Sequence, residues 1–217
     1  MPETIPDPRA LAPFSIPFPE RDFAAYIFDC DGTVIDSMPL HYRAWQGALA
    51  AHQAPYSLPV ERFLRMGGIP TREIVGVLNA EFGGGPDPLE VAATKSRLYL
   101  EGLREVEPIA EMVGYLQDLR GRGKPMAIGT GGTREVVVES LRHTGLLELF
   151  DLIVTPADVG PGRGKPQPDL FLLAAEKLGA PPAETVVFED AEPGFLAAIA
   201  AGMHLVKVPP SPRFFGG

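Results

Sequence analysis

Five short apolar runs, four of them followed by a stretch of helical period, fix most of what this 217-residue chain can become. The runs are "AYIFD" (25–29), "KPMAIGT" (124–130), "FDLIVT" (150–155), "ETVVFED" (184–190) and "HLVKV" (204–208). They are short, rich in β-formers and close to continuously apolar, as strands buried on both faces are. Between them lie helical patterns, among them "IAEMVGYLQDLRG" (109–121), "REVVVESLRHTG" (134–145), "PDLFLLAAEKLG" (168–179) and "PGFLAAIAAG" (193–202). This alternation predicts an α/β fold, a Rossmann-like parallel sheet with helices on both faces.

One interval breaks the rhythm. Residues 37–104, 68 in all, separate the first strand from the helix leading into the second, and they read as helix nearly throughout. Four segments carry the pattern, "PLHYRAWQGALAAH", "PVERFLRM", "TREIVGVLNAEFG" and "PLEVAATKSRLYLEGL", joined by Gly- and Pro-containing turns. The interval is too long for a loop and predicts a small all-helical cap domain. The expected organisation is an N-terminal arm over 1–22, a core formed by 23–36 and 105–217, and the cap over 37–104. The arm opens with six prolines in twenty residues and no helical period, so an extended or poorly ordered segment is expected. Hinges are expected near Asp36–Met38 and Glu105–Pro108.

Composition narrows the partners. A net charge of −9 argues against non-specific nucleic-acid binding, which needs a basic stripe. The absence of an 18-residue apolar run argues against a membrane span, and the first residues lack the basic start of a signal peptide. Cys30 is the single cysteine, so the chain holds no intramolecular disulfide. A cytoplasmic protein, monomeric or weakly homo-oligomeric, is the expectation.

In open parallel sheets ligands bind beyond the carboxyl ends of the strands. Those ends carry Asp29 and Asp31, Thr130, and Glu189 with Asp190, while "GRGKPQPD" after the third run supplies Lys165. Carboxylates gathered on one edge repel, and a divalent cation is the low-cost way to keep them ionised. An all-oxygen set with few protein ligands suits Mg²⁺, which keeps waters and binds phosphate. An aspartate in such a site can attack phosphorus, and a second acid two residues on can protonate the leaving oxygen and then deprotonate water.

In these residues the chain resembles the haloacid dehalogenase superfamily, in the branch with a helical cap that includes β-phosphoglucomutase. "FDCDGTVIDS", "IGTGG", "GKPQPD" and "FEDAEPG" match its four motifs in order, and the likeness spans residues 23–208. The resemblance implies that Asp29 is the nucleophile and a metal ligand. It implies that Asp31 is the general acid/base and gives its backbone carbonyl to the metal. Thr130 with the amides of Gly131 and Gly132 would hold phosphate, Lys165 would orient Asp29, and Asp190 with Glu189 would bind Mg²⁺. Related members often carry Ser or Asn where this chain has Gly131, so only main-chain contacts are expected there. His41, near the start of the first cap helix, would lie beside Asp31, and Arg72, after the Gly67–Gly68 turn, would face substrate.

The function so implied is a Mg²⁺-dependent phosphatase of small phosphorylated metabolites, sugar or polyol phosphates, similar to fructose-1-phosphate and 6-phosphogluconate-type enzymes. A phosphomutase of the β-phosphoglucomutase kind is the alternative, since it shares the core motifs. A phosphoacceptor signalling module fits the acids and lysine but not the helical insertion, and a dehalogenase needs no acid at Asp31. Arg43 and Arg134 are weaker candidates for substrate contact, Trp45 and Phe63 are expected to fill the cap's core, and Cys30 is expected in the core without a catalytic part.

Overall fold

The computed structural model describes residues 15–210. Its centre is a five-stranded parallel sheet of β1 (Ala25–Phe28), β4 (Met126–Gly129), β5 (Leu152–Val154), β6 (Thr185–Glu189) and β7 (His204–Lys207), in the order β5-β4-β1-β6-β7. β1 lies in the middle, paired with β4 on one side and β6 on the other, and every residue of these three strands is buried. Strand alternation sorts the core into two layers. Tyr26, Phe28, Ile128 and Phe188 face one layer, closed by Met112, Leu116 and Leu119 of α5 (Ala110–Gly121) and by Val136, Val137 and Leu141 of α6 (Arg134–His143). Ile27, Ala127 and Val187 face the other, covered by α8 (Asp169–Lys177) and α9 (Glu192–Ala200). A four-residue helix, α7 (Pro156–Val159), follows β5.

The long interval is helical as expected. It holds α1 (Met38–Ala51), α2 (Val60–Arg65), α3 (Thr71–Phe82) and α4 (Pro88–Glu101). Trp45, Leu58, Phe63, Ile74, Val75, Leu78 and Val91 form an apolar cluster of their own within it. Leu40, Ala44 and Tyr99 do not join that cluster; they pack into the sheet's layer, so the lower ends of α1 and α4 are embedded in the core.

Two features lay outside the sequence reading. Both connections to the insertion are short strands, β2 (Ile35–Asp36) and β3 (Glu107–Pro108), paired antiparallel at the positions expected to hinge. Two residues each give no periodicity to read. The N-terminal arm, where it is described, carries no helix or strand but is packed down: Ile16 is buried, its amide donates to Glu111, and Phe18 stacks on Tyr115 at 4.2 Å. Residues 15–22 are therefore seated on α5, while the rest of the expected arm, 1–14, lies outside the described residues. No helix among the described residues is long and apolar enough to cross a membrane.

Candidate active site

β1 ends at Phe28, and the chain turns sharply back on itself before entering the insertion. Val34 and Ile35 both donate their amides to the Cys30 carbonyl, and Gly32 takes φ +88°, a left-handed conformation that favours glycine. Gly32 is required for a second reason: a Cβ there would lie 2.8 Å from Cγ of Asp190 and overlap its carboxylate. The turn and the end of β6 thus interlock. Cys30 points into the apolar layer with Phe28, and burial pushes its thiol well above the usual range.

Asp29, at the end of β1, is buried and accepts a hydrogen bond of 2.5 Å from Lys165 Nζ. The same ammonium donates to Glu189 Oε2 at 2.8 Å and lies 5.0 Å from the Phe171 ring centre. Lys165 is almost wholly buried, and the bond joining it to Pro166 is cis. Burial alone would lower the Lys165 pKa, but the Asp29 and Glu189 charges outweigh it and hold the amine firmly protonated. Thr33 Oγ1 donates to Asp190 at 2.9 Å.

Oxygens of Asp29, Glu189 and Asp190 lie within 4.8 Å of one another. Burial raises all three carboxyl pKa values, with the Asp31 charge adding to it at Asp29 against the pull of Lys165, and the Asp29 charge adding to it at Glu189 and at Asp190, which reaches about 7. Glu189 Oε1 is buried with no hydrogen-bond partner among the described residues, and the glycine at 194 leaves the space in which its carboxylate sits. One buried lysine against three acids, with an unfilled acceptor, is a donor set suited to a divalent cation.

Asp31 is placed differently from Asp29. Its Oδ1 accepts from Ser37 Oγ at 2.6 Å and stands 2.9 Å from His41 Nε2. His41 Nδ1 in turn lies 2.7 Å from Lys95 Nζ on α4. An ammonium has no lone pair to give, so Nδ1 is the acceptor and the imidazole proton sits on Nε2, facing Asp31. Burial and the Lys95 charge keep His41 neutral by lowering its pKa, and burial brings Lys95 down to about 8. Burial alone would raise Asp31, but His41, Ser37 and Lys95 together hold it far below the usual carboxylate range. In this arrangement Asp31 favours its carboxylate form.

Thr130 follows β4 directly, at the strand end where it was expected, four residues ahead of α6, whose cap position is Thr133. Its Oγ1 accepts the Gly132 amide at 3.1 Å and shapes the intervening loop. Gly131 explains itself through the insertion. A Cβ there would lie 2.5 Å from the Gly68 carbonyl carbon and overlap its oxygen, so the Gly67–Gly68 turn rests directly on this loop. A Cβ on Gly68 would in turn lie 3.0 Å from Cδ of Lys165.

Above Asp31, Gly131 and Gly132 opens a cavity of about 320 Å³, roofed by Met38, Trp45, Phe63, Ile69 and Leu89 of the insertion. Trp45 and Phe63 belong to the insertion's core, as expected, and also line this space. Three cations border it: Lys95, Arg72 and Arg134. Arg134 is held by Asp158 at 2.8 Å and by the Ile153 carbonyl at 3.0 Å. Arg43 is turned away and paired with Glu105. Arg72 is exposed at the start of α3, with no ion pair to a described residue.

Sequence reasoning did not single out Lys95, Ser37 or Thr33. Thr33 and Ser37 lie inside the first motif, whereas Lys95 is 54 residues from His41 and no local pattern marks it.

The model of the haloacid dehalogenase-like hydrolases matches residues 23–202, and the chain belongs to that family. It is 36% identical over 187 residues to "Fructose-1-phosphate phosphatase YqaB" of Escherichia coli, covering 86% of this chain and 96% of that protein. It is 29% identical over 191 residues to "Beta-phosphoglucomutase" of Bacillus subtilis, covering 85% and 82%. Among solved structures, CbbY from Rhodobacter sphaeroides in complex with phosphate matches with a TM-score of 0.77 at 24% identity, covering 88% of each chain, a likeness of fold.

Proposed function

We propose that this chain is a Mg²⁺-dependent phosphatase of sugar or polyol monophosphates that works through a phosphoryl group carried on Asp29. The supporting observation is the pairing of a buried, lysine-held Asp29 with an ionised Asp31 beside it under one cavity. Asp29 Oδ attacks phosphorus, the P–O bond to the sugar breaks, and the leaving oxygen takes a proton from Asp31. Asp31, held here as its carboxylate, first takes a proton from solvent and releases Ser37 as it turns to the substrate, and the second half-reaction returns that proton to it. In the second half the carboxylate form of Asp31 removes a proton from water, which attacks phosphorus and frees Asp29. Lys165 keeps Asp29 ionised and aimed, and the Gly131 and Gly132 loop binds the phosphoryl oxygens through its backbone. Bound to Asp29, Asp190, the Asp31 carbonyl and Glu189, Mg²⁺ would neutralise charge on the transferring phosphoryl group. The helical insertion acts as a cap domain, pivoting on β2 and β3 and closing over the substrate.

A mutase has to hold a second phosphate while the first is transferred. Of the three cations at the cavity, Lys95 is bonded to His41 and Arg134 to Asp158, leaving Arg72 as the one without an ion pair among the described residues. An apolar roof with one uncommitted cation favours a monophosphate and hydrolysis. Release of inorganic phosphate from hexose and hexitol monophosphates, beside a glucose 1-phosphate isomerisation assay, tests this. Hydrolysis lost in Asp29→Asn is the expected result; isomerisation faster than hydrolysis would overturn the choice.

A further inference from the structure

We infer that Tyr99 is a positioning residue: its ring holds the His41 imidazole toward Asp31, and its hydroxyl ties that hold to the seating of α4 on the core helix α6. A fully buried tyrosine is usually core filling, and Tyr99 does pack in the sheet's apolar layer. Its contacts are nonetheless specific. The phenol ring lies flat on the imidazole, with centroids 4.1 Å apart and planes 13° apart. Rotation of the imidazole about its Cβ–Cγ bond would drive its edge into the phenol face, so the stack restricts the torsion that sets where Nε2 points. Nε2 stands at hydrogen-bond distance from Asp31, 2.9 Å, but off the line of a well-formed bond. A ring held near alignment needs only a small turn to complete that bond.

α4 supplies both constraints on His41. Lys95 and Tyr99 are four residues apart and so share one helix face, Lys95 bonding Nδ1 and Tyr99 covering the ring plane. The far end of Tyr99 reaches the core: its hydroxyl is 3.0 Å from Ser140 Oγ on α6. Ser140 spends its one hydroxyl proton on the Val136 carbonyl at 2.7 Å, so Tyr99 is the donor and Ser140 the acceptor. The sequence Val136 carbonyl, Ser140, Tyr99, His41, Asp31 thus runs from a core helix, through the insertion, to the acid/base. A shift of α4 off α6 would loosen the ring that aims His41.

The test is a double-mutant cycle. Because Tyr99 acts through His41, Tyr99→Leu should lower kcat by ~10-fold to ~100-fold, with KM little changed, the loss expected for misplacing a catalytic group. In a His41→Asn background the same change should cost nothing further, whereas a purely structural role would give losses that multiply. Tyr99→Phe, which keeps the stack, should recover most of the lost rate and match Ser140→Ala, since both remove one hydrogen bond. If Tyr99→Leu fails to fold, Tyr99→Met fills more of the volume without a flat face and carries the same expectations. The kcat arm rests on the phosphatase reading, so a second arm needs no turnover: the His41 Nε2–H proton signal in NMR should be present in wild type and Tyr99→Phe and lost to solvent exchange in the Leu or Met variant. Multiplying losses in the cycle, or an unchanged Nε2–H signal in the Leu or Met variant, would overturn the inference.

Discussion

Gly131→Ala isolates the contact by which the insertion closes on the phosphate loop. Gly131 does not adopt a left-handed φ, so alanine costs no backbone strain and the whole effect is steric. The added methyl would lie 2.5 Å from the Gly68 carbonyl carbon and 3.0 Å from its Cα, where carbons in contact prefer about 3.5 Å. The Gly67–Gly68 turn therefore has to withdraw by about 1 Å, which also lifts it from Lys165. Overpacking of this kind costs ~1–3 kcal/mol where nothing can yield, and a turn of two glycines yields, so the melting temperature should fall by only a few degrees. A displacement of that size at an active-site wall lowers kcat by up to ~100-fold. Steady-state kcat and KM on a hexose monophosphate, with a thermal melt on the same preparation, measure both. Kinetic constants within twofold of wild type would refute the argument, because the turn would then not be seated on Gly131 during turnover.

Three further outcomes follow from the same coordinates. Gly76, in the middle of α3, has open space where a Cβ would go, so Gly76→Ala should raise stability by ~1 kcal/mol and leave kcat unchanged; a lower melting temperature would contradict the placement. Lys165→Met leaves Asp29 and Glu189 buried without their cation and should destabilise the metal-free protein by ~3–5 kcal/mol, with added Mg²⁺ returning part of the loss in a melt. In wild type treated with chelator, the raised carboxyl of Asp190, at about 7, makes the folded state bind more protons than the unfolded one. That contribution is complete below the unfolded pKa of about 3.9 and is lost as pH rises toward 7, so this protein's melting temperature should decline across that window. Mg²⁺ binding should strengthen over the same range, as calorimetry would read. A flat profile, with affinity independent of pH, would contradict the clustered acids.

The fold was legible because a parallel sheet buried on both faces leaves continuous apolar runs, and all five were readable. The positions of Asp29, Lys165, Glu189 and Asp190 were legible because strand ends gather at one edge whatever the loops do. What escaped depends on packing across long separations. Lys95 reaches His41, and Tyr99 reaches both His41 and Ser140, only because α4 lies against α1 and α6. The odd Gly131 made sense only once the Gly68 carbonyl was found against it. Ile16 and Phe18 sit among prolines, so the aperiodic arm concealed two residues that seat on α5.

The central claim is that Asp29 carries the phosphoryl group, and trapping it is the direct test. Enzyme turning over a hexose monophosphate with Mg²⁺ would be quenched in acid and treated with borohydride, which reduces an acyl phosphate to the alcohol and turns an aspartate into homoserine. Mass spectrometry of the peptide spanning residues 24–37 should find homoserine at position 29 with Asp31 intact. Conversion at position 31 or 190, or repeated turnover with position 29 never modified, would contradict the account.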